Sequence, residues 1–223
     1  MLGTSYNGTL PIACATTGAE GLMAIITSAP AVSWYGYYRS FGLVRNPGGY
    51  PGEDLDVLYD FIASGEPKRR AWCTEHVRDG VLQKNMDRAS GDHSEFWAER
   101  DYLEKLADYR AATLCVHGLG DWNVMPAQSL DLYVALKQKG VPAMVFLHQG
   151  GHMPAAPFEL QNRWFTHYLY GVENGVDQEA KSWVVREGAR PSGATQYPDY
   201  PNPEAQMVAV FPHGGGNALG TLG

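Results

Sequence analysis

Gly3-Thr4-Ser5-Tyr6-Asn7-Gly8 stands at the opening of the chain. A serine between closely spaced glycines, followed by small apolar residues, reads as the nucleophile turn of a serine hydrolase, where a strand turns sharply into a helix. The second glycine falls one place later than in G-x-S-x-G, with Asn7 before it. Residues 8–17 are small and apolar, as expected of the helix that follows such a turn. The turn also needs a strand leading in. A strand takes about five or six residues, and Met1 to Thr4 is too short to supply one of that length. The expectation is therefore that this chain is the later part of a larger enzyme.

Beyond the turn, three short apolar runs read as buried strands: residues 22–27, 112–117 and 143–148. Residues 33–44 are aromatic-rich and read as irregular, and residues 46–52 form a loop by their Pro and Gly content. Residues 53–63 read as a helix with acids in its first turn, where the helix dipole favours them. Residues 66–110 are charged and lack β-branched runs, with Phe96, Trp97, Tyr102, Leu103 and Leu106 near helical spacing. They read as a helical insertion. A helix over 126–139 starts at Pro126 and stops at Gly140. Leu160, Trp164, Phe165, Tyr168 and Leu169 mark one face of another.

Strand, insertion, strand, helix, strand, helix is the alternation of an α/β fold, a parallel sheet with crossover helices. After Lys181 the composition changes to Pro191, Pro198, Pro201, Pro203, Pro212 and Gly214-Gly215-Gly216, a loop-rich tail. The expected organisation is a partial hydrolase core over 1–47 and 111–178, a helical cap over 48–110, and over 179–223 a linker with the start of a C-terminal β domain.

Composition narrows the function. The 223 residues are 44% hydrophobic with a net charge of −7, and Lys68-Arg69-Arg70 is the one basic cluster. That triplet reads as a solvated helix start, so no nucleic-acid partner is expected. No apolar run approaches the roughly 18 residues that cross a bilayer, so no membrane partner is expected. Cys14, Cys73 and Cys115 lack metal-ligand spacing and read as free thiols of a reducing compartment. The expected location is cytoplasmic. The absence of a leader carries little weight in a chain read as a later portion, so secretion stays open.

Two acid–base candidates stand just past strand ends. Asp121 follows the second apolar run in Gly118-Leu119-Gly120-Asp121, and His152 follows the third in Gln149-Gly150-Gly151-His152. The order Ser5, Asp121, His152 is that of the α/β-hydrolases. In a parallel sheet the strand C-termini open on one side, so residues just beyond neighbouring strands converge. A serine hydroxyl needs an imidazole to take its proton, and the imidazole needs a carboxylate to hold its tautomer. His148 and His152 are four apart but lie on a strand and a loop, which disfavours zinc. No metal or cofactor is expected.

Longer stretches carry a more specific signal. Gly3 to Leu10, Thr16 to Leu22, Ser33-Trp34-Tyr35-Gly36-Tyr37-Tyr38-Arg39 and Pro47-Gly48-Gly49-Tyr50-Pro51-Gly52-Glu53-Asp54-Leu55-Asp56 together resemble the Xaa-Pro dipeptidyl-peptidases. These are serine peptidases with an α/β-hydrolase core, a helical cap and a C-terminal β-sandwich. The resemblance implies removal of N-terminal dipeptides ending in proline, with proline-containing peptides as substrates and room for a homodimer in the full-length enzyme. It implies Ser5 as nucleophile, Asp121 as orienting acid, His152 as base and the Tyr6 N–H as an oxyanion donor. It also implies Trp34, Tyr37 and Val124 as walls of the proline pocket, Asn123 near the site, and Glu53 as holder of the substrate's α-ammonium. In that family a tyrosine from an upstream loop completes the oxyanion hole, and no counterpart precedes Ser5. A related esterase or acylase, or an inactive fragment needing an N-terminal half, are the alternative readings. On either view the 22–27 strand is expected to show a bare apolar edge.

Overall fold

The computed structural model describes residues 1–40, 42–44, 54–63, 67–153, 155–213 and 221–222. Side chains are described over 1–39, 42–44, 54–60, 67–153 and 155–211. The expected 46–52 loop lies outside the described residues.

Strand β1 (Leu2–Thr4) runs into helix α1 (Tyr6–Thr16), which is followed by β2 (Ala24–Ser28). A short helix α2 (Trp34–Tyr38) leads to a two-stranded ribbon, β3 (Arg39–Ser40) and β4 (Leu43–Val44). The insertion is helical: α3 (Leu55–Ala63), α4 (Pro67–Cys73), a π-helical stretch (Thr74–Leu82), α5 (Gln83–Asn85) and α6 (Glu95–Ala98). Then come β5 (Ala112–Gly118), α7 (Ala127–Gln138), β6 (Ala143–His148), α8 (Phe158–Tyr170), β7 (Ser182–Val184) and β8 (Thr195–Tyr197).

The main sheet has the order β1-β2-β5-β6-β7-β8. All neighbours are parallel except β7 and β8. Alternation along the central strands sorts side chains onto two faces. Ile25, Cys115, Val145 and Leu147 face α1 and α7, where Ile12, Leu132 and Leu136 meet them. Ala24, Ile26, Leu114, Val116, Met144 and Phe146 face the other way, toward Leu160 and Trp164 of α8. Each such large apolar side chain contributes about 1.5–3 kcal/mol on burial, so a sheet covered on both faces is the dominant source of stability. This explains why its strands read as continuous apolar runs.

Four expectations need correction. Residues 2–4 do form a strand, because β2 supplies its hydrogen-bond partners: Leu2 pairs with Ile26 and Thr4 with Ser28. The β2 edge is thereby covered, and among the described residues β1 is the end strand of the sheet. The described residues of the stretch read as irregular form α2 and the β3–β4 ribbon, with the Gly36 N–H donating to the Ser33 hydroxyl cap. Leu169 is 47% exposed and lies off the buried face of α8. In the tail after Lys181, β7 and β8 extend the main sheet, and Asp199 is tied back to Tyr133 and Lys137 of α7.

Candidate active site

Ser5 sits where β1 ends and α1 begins, with φ 61° and ψ −136°. That backbone is strained for a residue with a side chain, and such strain clusters at functional sites. Neighbouring contacts hold it. The Ser5 N–H donates to Ser28 O at 2.8 Å, and the Gly8 N–H donates to Ser5 O at 2.8 Å. A Cβ on Gly8 would stand 2.8 Å from Thr27 Oγ1 and 3.0 Å from Gly3 O. Gly8 therefore permits the close packing of α1 on β2, and its shift by one place from the usual pattern does not prevent the turn. The Tyr6 N–H is the first of α1, among those a helix leaves without an intrahelical acceptor.

Asp121 and His152 come from the turns after β5 and β6. Asp121 Oδ1 accepts from the N–H groups of Asn123 (2.9 Å) and Val124 (3.0 Å). Its Oδ2 lies 2.8 Å from His152 Nδ1. Burial alone would raise the Asp121 carboxyl; hydrogen bonds from His117, His152 and the Val124 N–H outweigh it and hold the group well below the usual carboxylate range. An ionised Asp121 can only accept, so His152 Nδ1 carries the proton and Nε2 is left as the base. The two turns meet because Gly118 lacks a side chain. A Cβ there would be 2.1 Å from Gly151 O and 2.3 Å from Gly150 O.

Ser5, Tyr6, Trp34, Tyr37, Asn123, Val124 and His152 all line one cavity of about 910 Å³. No hydrogen bond joins the Ser5 hydroxyl to His152 among the described residues; such bonds are commonly looser before substrate binds. Trp34 and Tyr37 meet edge to face at 5.8 Å. The Tyr37 hydroxyl donates to Asn123 Oδ1 at 2.7 Å, and Val124 is 3% exposed. Glu53 lies outside the described residues.

Several residues escaped the sequence reading. Leu55, Leu58, Tyr59, Leu82, Trp97, Arg100, Tyr102, Trp122 and Met153 also line the cavity. Gln128 pins the start of α2: its Oε1 accepts from the N–H groups of Val32 (2.7 Å) and Ser33 (2.9 Å). His117, read only as a strand end, contacts Asp121. The near-helical spacing of the aromatics in 96–106 was the one signal for any of these, and it pointed to packing.

One trio of the described residues could offer ligands to a metal: His93, Asp101 and Glu104, whose ligand atoms lie within 4.8 Å of one another. All three are exposed or half-exposed, a grouping common without an ion. The cysteines are unpaired, Cys115 buried and the other two half-buried. Burial pushes the Cys115 thiol up to about 12. No helix among the described residues is long and apolar enough to cross a membrane.

Comparison with known proteins identifies the family and the fold. The family described as X-Pro dipeptidyl-peptidase (S15 family) matches residues 1–154. A Rhodopirellula baltica protein is 54% identical over 223 residues, which is 100% of this chain and 36% of that protein. The Xaa-Pro dipeptidyl-peptidase of Lacticaseibacillus rhamnosus is 36% identical over 94% of this chain and 28% of its own length. The chain thus spans about a third of these relatives. Among solved structures, an aminopeptidase from a marine sediment Thaumarchaeota archaeon superposes with TM-score 0.64 at 16% identity, covering 95% of this chain and 43% of that one. A CocE/NonD family hydrolase from Staphylococcus aureus gives TM-score 0.62 at 16% identity, over 95% of this chain and 35% of that one. At such identity the likeness concerns the fold alone, which is that of the α/β-hydrolases.

Proposed function

The chain belongs to the X-Pro dipeptidyl-peptidase (S15) family, and from that premise we propose that it carries the catalytic serine, base and acid of a peptidase removing N-terminal Xaa-Pro dipeptides. The observation that carries this reading is Ser5 at a strained strand-to-helix turn, facing the same cavity as a His152 whose Nδ1 is held by Asp121 at 2.8 Å.

In this reading His152 Nε2 takes the proton of the Ser5 hydroxyl as the oxygen attacks the proline carbonyl of the substrate. His152 then gives the proton to the leaving amine, and water resolves the acyl-Ser5 intermediate by the same route in reverse order. The Tyr6 N–H donates to the developing oxyanion. Trp34, Tyr37 and Val124 form an apolar corner suited to a proline ring, with Asn123 held beside it by Tyr37. Glu53 receives the substrate's α-ammonium and so counts two residues from the free end. Residues 48–110 act as the cap over this site. The substrates are proline-containing peptides, and the unpaired thiols fit a cytoplasmic setting.

The test is release of p-nitroaniline from Gly-Pro-p-nitroanilide by the purified chain, beside Ser5→Ala and Glu53→Gln. Release that disappears in Ser5→Ala and falls steeply in Glu53→Gln supports the peptidase. Unchanged hydrolysis of a simple acyl ester by wild type and Glu53→Gln, with no dipeptide cleavage, would favour an esterase. A folded chain whose Ser5 resists a fluorophosphonate sinks the reading for this chain alone and points to a missing partner segment.

A further inference from the structure

We propose that His117 and Ser129 form a positioning chain behind Asp121, holding its carboxylate and setting how tightly His152 keeps its Nδ1 proton. The inference deepens, and rests on, the assignment of Ser5, Asp121 and His152 above.

His117 lies near the end of β5 with its side chain 0% exposed. Its Nε2 is 2.9 Å from Val124 O and 3.4 Å from Asp121 Oδ2. Its Nδ1 is 2.6 Å from Ser129 Oγ on α7. A carbonyl oxygen accepts and cannot donate, so Nε2 carries the proton. In the neutral ring Nδ1 then holds the lone pair, and the Ser129 hydroxyl donates to it. The direction of the chain is fixed: Ser129 to His117, and His117 to Val124 O with a longer branch to Asp121.

Val124 belongs to the turn whose N–H groups hold Asp121 Oδ1 at 2.9 and 3.0 Å. His117 therefore grips both the turn and the carboxylate it carries. Oδ2 is shared between the His152 N–H and the more distant His117 N–H. Removing the second donor leaves more of the carboxylate's charge to His152 and loosens the turn. Among the described residues, the titratable groups in contact with Asp121 are His117 from β5 and His152 from the loop after β6. From α7 comes the Ser129 hydroxyl, through His117, and the 121–124 turn adds the Asn123 and Val124 N–H groups.

The first experiment reads the His117 tautomer by ¹⁵N NMR in the unmutated chain. Protonated Nε2 is expected, and protonated Nδ1 overturns the proposal. The second follows Ser5 labelling by a fluorophosphonate against pH in His117→Asn, His117→Gln and Ser129→Ala. His117→Asn is expected to slow labelling about 10-fold, as for loss of one hydrogen bond to a charged group, and to move its acid limb to higher pH. His117→Gln, whose amide reaches the place of Nε2, restores both. Ser129→Ala, a small change that keeps the fold, moves both in the same direction by less. Equal impairment in the Asn and Gln variants, or no change in His117→Asn and Ser129→Ala, overturns the proposal in favour of simple packing. An unlabelled Ser5 in the unmutated chain counts against the acyl-transfer reading instead. The low-field proton of the His152–Asp121 bond then decides the positioning chain: movement in Asn and Ala but not Gln supports it, and no movement overturns it.

Discussion

The sheet and the cap seat are held together by different physics. In β2, β5 and β6 apolar side chains alternate between two covered faces, so cohesion comes from area removed from water. The seat of the insertion is built around charge. Arg39 and Asp54, with side chains 0% and 2% exposed, form a bidentate pair with the closest contact at 2.8 Å. Arg39 also donates to Met86 O at 3.0 Å and lies 5.1 Å from the Trp97 ring centroid. Arg88 reaches both Asp54 and Asp56. Apolar burial has no direction, whereas a bidentate pair fixes orientation as well as contact. The helical insertion contributes Leu55, Leu58 and Trp97 to the lining of the cavity, so its orientation shapes that lining.

The largest expected effect separates chemistry from stability on the sheet side. Asp121→Asn keeps an acceptor for the Asn123 and Val124 N–H groups but loses the charge that holds the His152 tautomer. Turnover or Ser5 labelling should fall about 10⁴-fold, with the melting temperature nearly unchanged. A large drop in melting temperature would mean that the site, like the cap, is held by charge.

The next effect falls on the cap. Asp54→Asn leaves Arg39 buried without a countercharge and should cost about 3–5 kcal/mol in urea unfolding. Arg39→Met should cost less, because Asp54 keeps Arg88. Equal losses would break the account of Asp54 as the shared centre of the network.

Acidification should sharpen the same contrast. Burial alone would raise the Asp54 carboxyl, but hydrogen bonds from Arg39 and Arg88 hold it below the ordinary value. A depressed folded value means a stabilising contribution fully present above the unfolded value of about 3.9 and lost as pH falls through the folded one. Hydrogen exchange should show the 54–88 segment opening at a higher pH than β5 and β6. Simultaneous opening would contradict the division. The smallest effect is expected at Leu169→Ser, within about 0.5 kcal/mol by calorimetry, since the residue is exposed.

Legibility in the sequence followed the same division. Residues 112–117 and 143–148 matched β5 and β6 to within one residue, because a doubly covered strand writes a continuous apolar run. The places of Asp121 and His152 just past strand ends were readable because each follows such a run, whereas Ser5 stood out only by its flanking glycines. β1 and β7 were not readable. Each is three residues long and exists through its neighbour's hydrogen bonds. The Arg39–Asp54 pair and the His117–Ser129 contact join residues that share no local period, so no window of sequence displays them.

By itself the sequence determined which segments alternate, where the sharp turns fall, and the chain order of a serine, an acid and a histidine at those turns. Those are local properties, set by side-chain period and by where glycine permits close approach. Tertiary structure decided what those groups touch: that β2 supports the short strand before Ser5, that β7 joins the sheet, that Asp121 is shared between two histidines, and that a buried ion pair ties Asp54, just before α3, to Arg39 of β3. Such contacts join residues far apart in the chain, and they form only once the register of the sheet has brought their backbones within hydrogen-bonding reach.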